Sequence, residues 1–281
     1  MQTEARAASI RASVRNWHQQ GHSVAFVPTM GNLHAGHYSL LELARSRCDH
    51  VVASVFVNPT QFGPEEDFAR YPRSMDADRV GLAEHGCDLL FAPEVDTLYP
   101  HGVEASVRVH LPGLTEILEG AHRPGHFDGV TTVVCKLLSM VQPDVAVFGR
   151  KDYQQWRVVE RMCVDLGLPV TILAAPIVRD PDGLALSSRN QYLDAAQREV
   201  APRLQQSLQQ AAVLIGQGHD LAAIEQATAT RLQHAGFAVD YVAIRNAGDL
   251  AVPDAGQRTG LVILAAAHLG KTRLIDNLEI A

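Results

Sequence analysis

The sequence predicts an α/β protein: a doubly wound parallel sheet with helices on both faces, followed by a second, smaller α+β domain. Three observations carry that expectation. Short apolar, β-branched runs alternate with stretches of helical periodicity as far as Pro176, the mark of parallel strands joined by crossover helices. The loops after three of those runs, at residues 30–37, 58–63 and 149–152, are polar and glycine-bearing, and in such sheets ligands sit beyond the carboxyl ends of the strands. From about residue 179 the texture changes to Ala/Gln/Leu-rich helical stretches.

Residues 4–20 place Ile10, Val14 and Trp17 on one face of an amphipathic helix. The apolar run Val24-Ala25-Phe26-Val27 is a buried strand that enters Pro28-Thr29-Met30-Gly31-Asn32-Leu33-His34-Ala35-Gly36-His37, a glycine-bearing turn, and Leu40, Leu41, Leu43 and Ala44 continue as a helix. Residues 51–57 are apolar and largely β-branched, as a central strand covered on both faces requires, and proline and glycine in 58–64 end it. A helix over 75–84 and a strand over 87–93 follow. The Gly/Pro-rich stretch 93–124 is expected to fold over the sheet as a lid or flap. A helix over 127–140 leads to a strand at 144–148, which ends at Gly149-Arg150-Lys151-Asp152 before a helix beginning near Tyr153; 169–176 is the last strand of this half. Beyond it come helical stretches to Gln217 and over 221–235, then strands at 237–244 and 261–266. This organisation predicts domains at 1–178 and 179–281, with no internal repeat.

The chain has 281 residues, 47% hydrophobic and 20% charged, with a formal net charge of -7. That is an ordinary globular composition. The acidic balance and the lack of a Lys/Arg cluster argue against a nucleic-acid partner. Cys48, Cys87, Cys135 and Cys163 are scattered without a Cys-x-x-Cys pair and read as small core residues of a reducing compartment. No signal peptide and no apolar run of membrane-spanning length stand out, so a cytoplasmic protein without a membrane partner is expected.

The turn at 30–37 carries the strongest chemistry. A helix N-terminus offers unpaired backbone N–H groups and a positive dipole end to an anion such as phosphate. His34 and His37, three residues apart, fall on one face of the first turn, and Gly36 lets a flat ligand approach the backbone. Two histidines could also hold a metal, but no third ligand has a firm claim and the glutamate of a His-Glu-x-x-His motif is absent. Lys151 can be a point charge for phosphate or, with Asp152 as an N-cap, part of a solvated turn. Gln154 and Gln155 could hold a small polar substrate, although helix glutamines are usually exposed. Ser187-Ser188-Arg189-Asn190 offers hydroxyls, a guanidinium and an amide suited to polyphosphate, or an ST-turn before a helix capped near Asp194. Asp180 and Asp182 read as turn residues. Asp76 and Asp78 read as an exposed helix face rather than magnesium ligands. Of His122, Arg123 and His126, only Arg123 is expected to meet an anion. His18, His22 and His219 read as surface residues.

The segments Pro28-Thr29-Met30-Gly31-Asn32-Leu33-His34-x-Gly36-His37, Phe56-Val57-Asn58-Pro59-Thr60-Gln61-Phe62, Tyr71-Pro72-Arg73, Arg123-Pro124-Gly125-His126-Phe127, Gly149-x-Lys151-Asp152 and Leu186-Ser187-Ser188-Arg189-Asn190 occur in that order. Together they resemble the pantoate–β-alanine ligase (pantothenate synthetase) family over nearly the whole chain. The wider superfamily of nucleotidyltransferases and class I aminoacyl-tRNA synthetases shares the His-x-Gly-His element on a Rossmann-like sheet, and its mobile lysine/serine loop is similar to 187–190. The resemblance implies an ATP-dependent ligase that condenses pantoate with β-alanine through a pantoyl adenylate, releasing AMP and pyrophosphate, with Mg²⁺ as cofactor and a homodimer as assembly. It implies ATP contacts at Met30, Gly31, Asn32, Leu33, His34, Ala35, Gly36, His37, Gly149, Arg150, Lys151, Asp152, Val178, Leu186, Ser187, Ser188 and Arg189, and pantoate or β-alanine contacts at Gln61 and Gln155. His37 corresponds to the family's proton donor, with His34, Lys151, Ser188 and Arg189 beside it in catalysis. The chain departs from the family's common Gly-Glu-Lys-Asp by carrying Arg150.

Overall fold

Val24, Ala25, Phe26 and Val27 are wholly excluded from solvent, as are Val51, Val52 and Ala53, which is what continuous apolar runs become when helices cover both faces of a sheet. The computed structural model of the chain describes residues 1–63 and 68–281. Pro64, the end of one expected loop, lies outside the described residues. The chain forms two units, Met1–Arg150 with Val158–Pro176 and Lys151–Arg157 with Ile177–Ala281.

In chain order the first unit contains β1 (Gln2–Glu4), α1 (Ala7–Gln19), β2 (Val24–Thr29), α2 (Ala35–Arg45), β3 (His50–Val55), α3 (Met75–Glu84), β4 (Leu89–Phe91), α4 (Val95–Leu98), α5 (Glu119–His122), α6 (His126–Val141), β5 (Val145–Gly149) and β6 (Thr171–Ala175). Helix α7 (Tyr153–Asp165) begins in the second unit and ends in the first. The sheet is parallel throughout, with strand order β1-β4-β3-β2-β5-β6. From β2 the chain winds outward through β3 to β4, then returns beside β2 as β5 and winds the other way. The order therefore reverses between β2 and β5, and the crevice at that switch point is where such sheets take ligands. The 30–37 turn leaves β2 there, and β5 ends beside it at Gly149. Helix α2 covers this part of the sheet, with Leu40, Leu41 and Ala44 packed among Ala25, Val27, Val51 and Val147.

Strand β1 departs from expectation. Gln2-Thr3-Glu4 has no apolar pattern, and the residues form a strand because their backbone pairs in parallel with β4 at the sheet edge. The helix expected over 4–20 accordingly begins at Ala7. Within 93–124 only α4 and α5 are regular, and the stretch is tied to α6 where the backbone N–H of Val109 donates to Thr132 Oγ1 at 2.9 Å.

The second unit contains α8 (Ala195–Val200), α9 (Arg203–Gly216), α10 (Leu221–His234), β7 (Ala238–Asn246), β8 (Leu261–Leu269) and β9 (Thr272–Ile280), the strands forming an antiparallel sheet in the order β7-β8-β9. Leu204, Leu208, Ala211 and Ile215 from α9 join Ile224 and Leu232 from α10 against Ile244, Ile263, Ala265 and Leu274 of the sheet. Each fully buried Leu or Ile contributes about 1.5–3 kcal/mol, so this unit has its own core. Strand β9 has no strand pattern in the sequence, because Thr272-Arg273-Leu274-Ile275-Asp276-Asn277 mixes charge with apolar residues, yet Asp276 and Asn277 are each 4% exposed.

Cys48, Cys87 and Cys163 are buried free thiols, and burial pushes Cys87 and Cys163 up to about 11, in keeping with a packing role. Among the described residues no helix is long and apolar enough to cross a membrane.

Candidate active site

The 30–37 turn is folded by its own side chains. His34 is the N-cap of α2, and its Nδ1 accepts the Gly36 N–H at 3.1 Å. The His34 N–H in turn donates to His37 Nδ1 at 3.3 Å. This is a capping box in which imidazoles do the work usually done by Ser or Asp and Glu. Two consequences follow for the chemistry. An Nδ1 that accepts a backbone N–H carries no proton, so each neutral ring carries its proton on Nε2. The rings also lie beside one another, centroids 4.2 Å apart and tilted by 49°. The structure corrects the expected role of the helix N-terminus: the Gly36 N–H is taken by His34 Nδ1 and the His37 N–H by the His34 carbonyl at 2.7 Å. Two amides of this first turn are therefore already engaged within the turn itself.

The entry to the turn is held by Asp78, and here a second expectation fails. Asp78 is 2% exposed, not part of a solvated helix face. Its carboxylate accepts the Asn32 N–H at 3.0 Å, the Leu33 N–H at 2.8 Å and the Ser74 hydroxyl at 3.0 Å. Asn32 is left-handed at φ 53 and so is Gly31 at φ 83, which turns both amides toward that carboxylate. A Cβ at Gly31 would come within 2.9 Å of Asp78 Oδ2, so only glycine fits there. Asp76, two residues earlier, is exposed as expected.

Gln61 is buried in a short 3₁₀ turn, Pro59–Gln61, and its amide is oriented by a buried relay. The Tyr99 hydroxyl donates to Asn58 Oδ1 at 2.7 Å, and Asn58 Nδ2 donates to Gln61 Oε1 at 3.1 Å. With its oxygen accounted for, Gln61 Nε2 donates to Met30 Sδ at 3.1 Å, next to the histidine turn. Burial pushes the Tyr99 phenol up, keeping it a proton donor. His126 Nδ1, at the start of α6, donates to the Gln61 carbonyl at 2.8 Å, and Arg123 Nη2, at the end of α5, donates to the same oxygen at 3.4 Å. Arg123, expected to meet an anion, is seen bracing the Gln61 backbone, and His126 does the same. Gly129 lets α6 come this close: a Cβ there would lie 2.2 Å from the Thr60 carbonyl oxygen.

Gly149 ends β5 half-buried, and Arg150 opens the 3₁₀ turn that Asp152 closes. In the second unit, Lys151, Ser187, Asn190 and Asp276 line one small cavity walled by Leu184, Leu204 and Leu274. Ser187 Oγ accepts the Arg189 N–H at 3.2 Å, the expected ST-turn, and Asp194 caps α8 in a reciprocal box with Gln197. The Leu186 N–H donates to the Val178 carbonyl at 3.0 Å, so Val178 and Leu186 face each other across the base of the loop. Ser188 and Arg189 open the following 3₁₀ turn. Asp180 and Asp182 are turn residues, as expected, and both pair with Arg198. Gln154 corrects the picture of exposed helix glutamines, being 2% exposed, while Gln155 is half-buried. His18, His22 and His219 lie at the surface, as expected.

Among the described residues no group of three or more His, Cys, Asp and Glu side chains could hold a metal ion, and the Asp78 carboxylate is engaged by three donors. These residues do not fit a protein-built Mg²⁺ site.

A family model described as pantoate-beta-alanine ligase matches residues 2–279. A pantothenate synthetase from Xanthomonas euvesicatoria pv. vesicatoria (strain 85-10) is 53% identical over 279 residues, covering 99% of each chain. The crystal structure of pantothenate synthetase from Thermus thermophilus superposes with a TM-score of 0.92 at 48% identity, again over 99% of each chain. That of a pantoate-beta-alanine ligase from Francisella tularensis, complexed with beta-gamma ATP and beta-alanine, gives 0.83 at 33% identity over 99% of this chain and 97% of that one.

Proposed function

The chain belongs to the pantoate–β-alanine ligase family, enzymes of pantothenate biosynthesis, and from that premise we propose that it makes pantothenate through a pantoyl adenylate. The observation that carries this reading is the pair of Nδ1-capped imidazoles at the β2/β5 switch point, both holding Nε2 protons. The ATP and β-alanine of the Francisella complex support the same substrates here.

In the first step the pantoate carboxylate attacks the α-phosphorus of ATP and pyrophosphate leaves in line. Little covalent work falls to the protein in such a transfer; positioning and charge stabilisation dominate. His34 and His37 donate Nε2–H bonds to phosphate oxygens as charge builds, and they are preorganised because the backbone fixes both rings. Lys151, Ser187, Ser188 and Arg189 meet the leaving pyrophosphate, and Gly149, Arg150, Asp152, Val178 and Leu186 line the nucleotide. Gln61 and Gln155 hold pantoate. The contact of Gln61 Nε2 with Met30 Sδ supports this, because a thioether is a weak acceptor that a carboxylate or hydroxyl oxygen readily replaces. In the second step the β-alanine amine attacks the acyl carbon, and AMP leaves with one oxygen of the original carboxylate.

A mixed anhydride hydrolyses readily, so water must be kept from it. We assign that task to the second unit, which carries Lys151, Ser187, Ser188 and Arg189. With no protein-built site for it among the described residues, Mg²⁺ would be held by the nucleotide, where it would supply charge neutralisation of the phosphates. The enzyme works in the cytoplasm as a homodimer.

Pantoate-dependent exchange of labelled pyrophosphate into ATP without β-alanine tests the reading. We expect exchange with the native protein and a pantoate requirement raised about tenfold or more in Gln61→Ala, equivalent to about 1.4 kcal/mol, with the ATP requirement unchanged. Exchange that needs β-alanine would overturn the adenylate step, and equal effects on both substrates would remove Gln61 from the pantoate site.

A further inference from the structure

Two adjacent polar residues on β9 are buried on opposite sides of their sheet. Successive side chains of a strand alternate faces, and Asp276 and Asn277 are both 4% exposed. Buried polar groups at such positions are costly unless hydrogen-bonded, and the bonds they make lead to the two segments assigned to pyrophosphate.

Asn277 Nδ2 donates to the backbone carbonyl of Lys151 at 3.0 Å. Two residues on, and on the same face, Glu279 accepts the Tyr153 hydroxyl at 3.0 Å. Strand β9 thereby grips the chain at Lys151 and again at the start of α7. On the other face, the Asp276 carboxylate takes the Arg179 guanidinium in a two-pronged pair at 2.7 and 2.8 Å. Arg179 Nη1 also donates to the Gly183 carbonyl at 3.0 Å, and the Arg179 backbone bridges to Ala185. Arg179 is thus spent inside the protein, at the base of the loop that presents Ser187 to Arg189. The two faces are joined within the dipeptide, because Asp276 Oδ1 accepts the Asn277 N–H at 2.8 Å.

We propose that Asn277 is a positioning residue for Lys151 and that, with Asp276, it sets the spacing between Lys151 and the Ser187–Arg189 loop. This rests on the reading of those two segments as the pyrophosphate contacts. In this role both β9 residues act through the segments they hold. Their effect is confined to the step in which pyrophosphate leaves or re-enters, whereas amine attack on a ready-made adenylate does not use the spacing.

The test measures the half-reactions separately: pantoate-dependent ATP–pyrophosphate exchange, and AMP release from supplied pantoyl adenylate with β-alanine. For Asn277→Ala we expect exchange to fall about 10²-fold, the cost of misplacing a group by about 1 Å, with AMP release from the adenylate near the native rate. Lys151→Ala is the reference and should show the same split. The double variant should be no slower than Lys151→Ala alone, since residues acting as one unit are not additive. If Asn277→Ala does not fold, Asn277→Thr, whose branched side chain suits a strand but is too short to reach the Lys151 carbonyl, is put through the same two assays. If Lys151→Ala leaves exchange intact, the pyrophosphate reading itself fails. If Lys151→Ala loses exchange while the Asn277 variant keeps it, or loses both half-reactions alike, the positioning role fails.

Discussion

In the His34–His37 turn, the bonds that orient both rings span two or three residues, Gly36 N–H to His34 Nδ1 and His34 N–H to His37 Nδ1. Lys151 is held from 126 residues away by Asn277, and the base of the Ser187 loop from 97 residues away by Asp276. Both segments are assigned to the same ATP, so the contrast lies in how each is built. A short-range cap forms whenever its helix forms, and its geometry is set by backbone stereochemistry. A long-range tie exists only once a whole domain has folded around it. The histidine turn also needs one distant support, the Asp78 carboxylate on α3, and that is where the comparison can be attacked.

His37→Ala should have the largest effect. It removes a donor to developing charge, typically worth about 10²–10³-fold in rate, and with it the acceptor for the His34 N–H. We expect pantoate-dependent pyrophosphate exchange to fall by that order while the circular dichroism spectrum stays native. Near-normal exchange would sink the assignment of this turn.

Asp78→Asn comes next and sharpens the contrast. The amide matches the carboxylate in shape but turns an NH₂ toward one of the two backbone donors it must accept. One orphaned buried donor costs about 1–3 kcal/mol. We expect that loss in urea unfolding, together with a raised KM for ATP and little change for pantoate. Unchanged stability and ATP affinity would mean that the turn holds itself without α3.

Gly129→Ala probes the other wall of the first unit. Its methyl would sit against the Thr60 carbonyl, and overpacking of this kind costs about 1–3 kcal/mol. Because the displaced segment carries Gln61, the KM for pantoate should rise more than that for ATP. A stability loss with both constants unchanged would detach the Pro59–Gln61 turn from substrate binding.

The smallest effect concerns the cysteines. Burial raises the thiols of Cys48, Cys87, Cys135 and Cys163, and the Cys87 and Cys163 values of about 11 leave almost no thiolate at pH 8. Iodoacetamide at that pH should leave activity intact in the native protein and alkylate the thiols only in denaturant, as mass spectrometry would record. Rapid inactivation of the native enzyme would contradict the packing role.

The parallel sheet was legible because its strands are continuous apolar runs, and the histidine turn because its signal is local and sequential. Strand β1 was not, since a three-residue edge strand is made by backbone pairing with β4 rather than by a side-chain pattern. Strand β9 was hidden by the polar residues that matter most in it. Asp78 was misread for a related reason: an aspartate early in a helix is usually solvated, and only the left-handed Gly31 and Asn32 on a distant turn call it inward. Asn58 and His126 carried a sequence signal only as parts of the motif segments, and Tyr99 and Gly129 carried none. Their roles depend on the approach of α6 to the Pro59–Gln61 turn, which no local pattern announces.

The most direct measurement follows the oxygen. With pantoate labelled by ¹⁸O in its carboxylate, one labelled oxygen should appear in the phosphoryl group of AMP for each pantothenate formed. Label in pyrophosphate or inorganic phosphate, or AMP without label, would contradict attack of the carboxylate on the α-phosphorus.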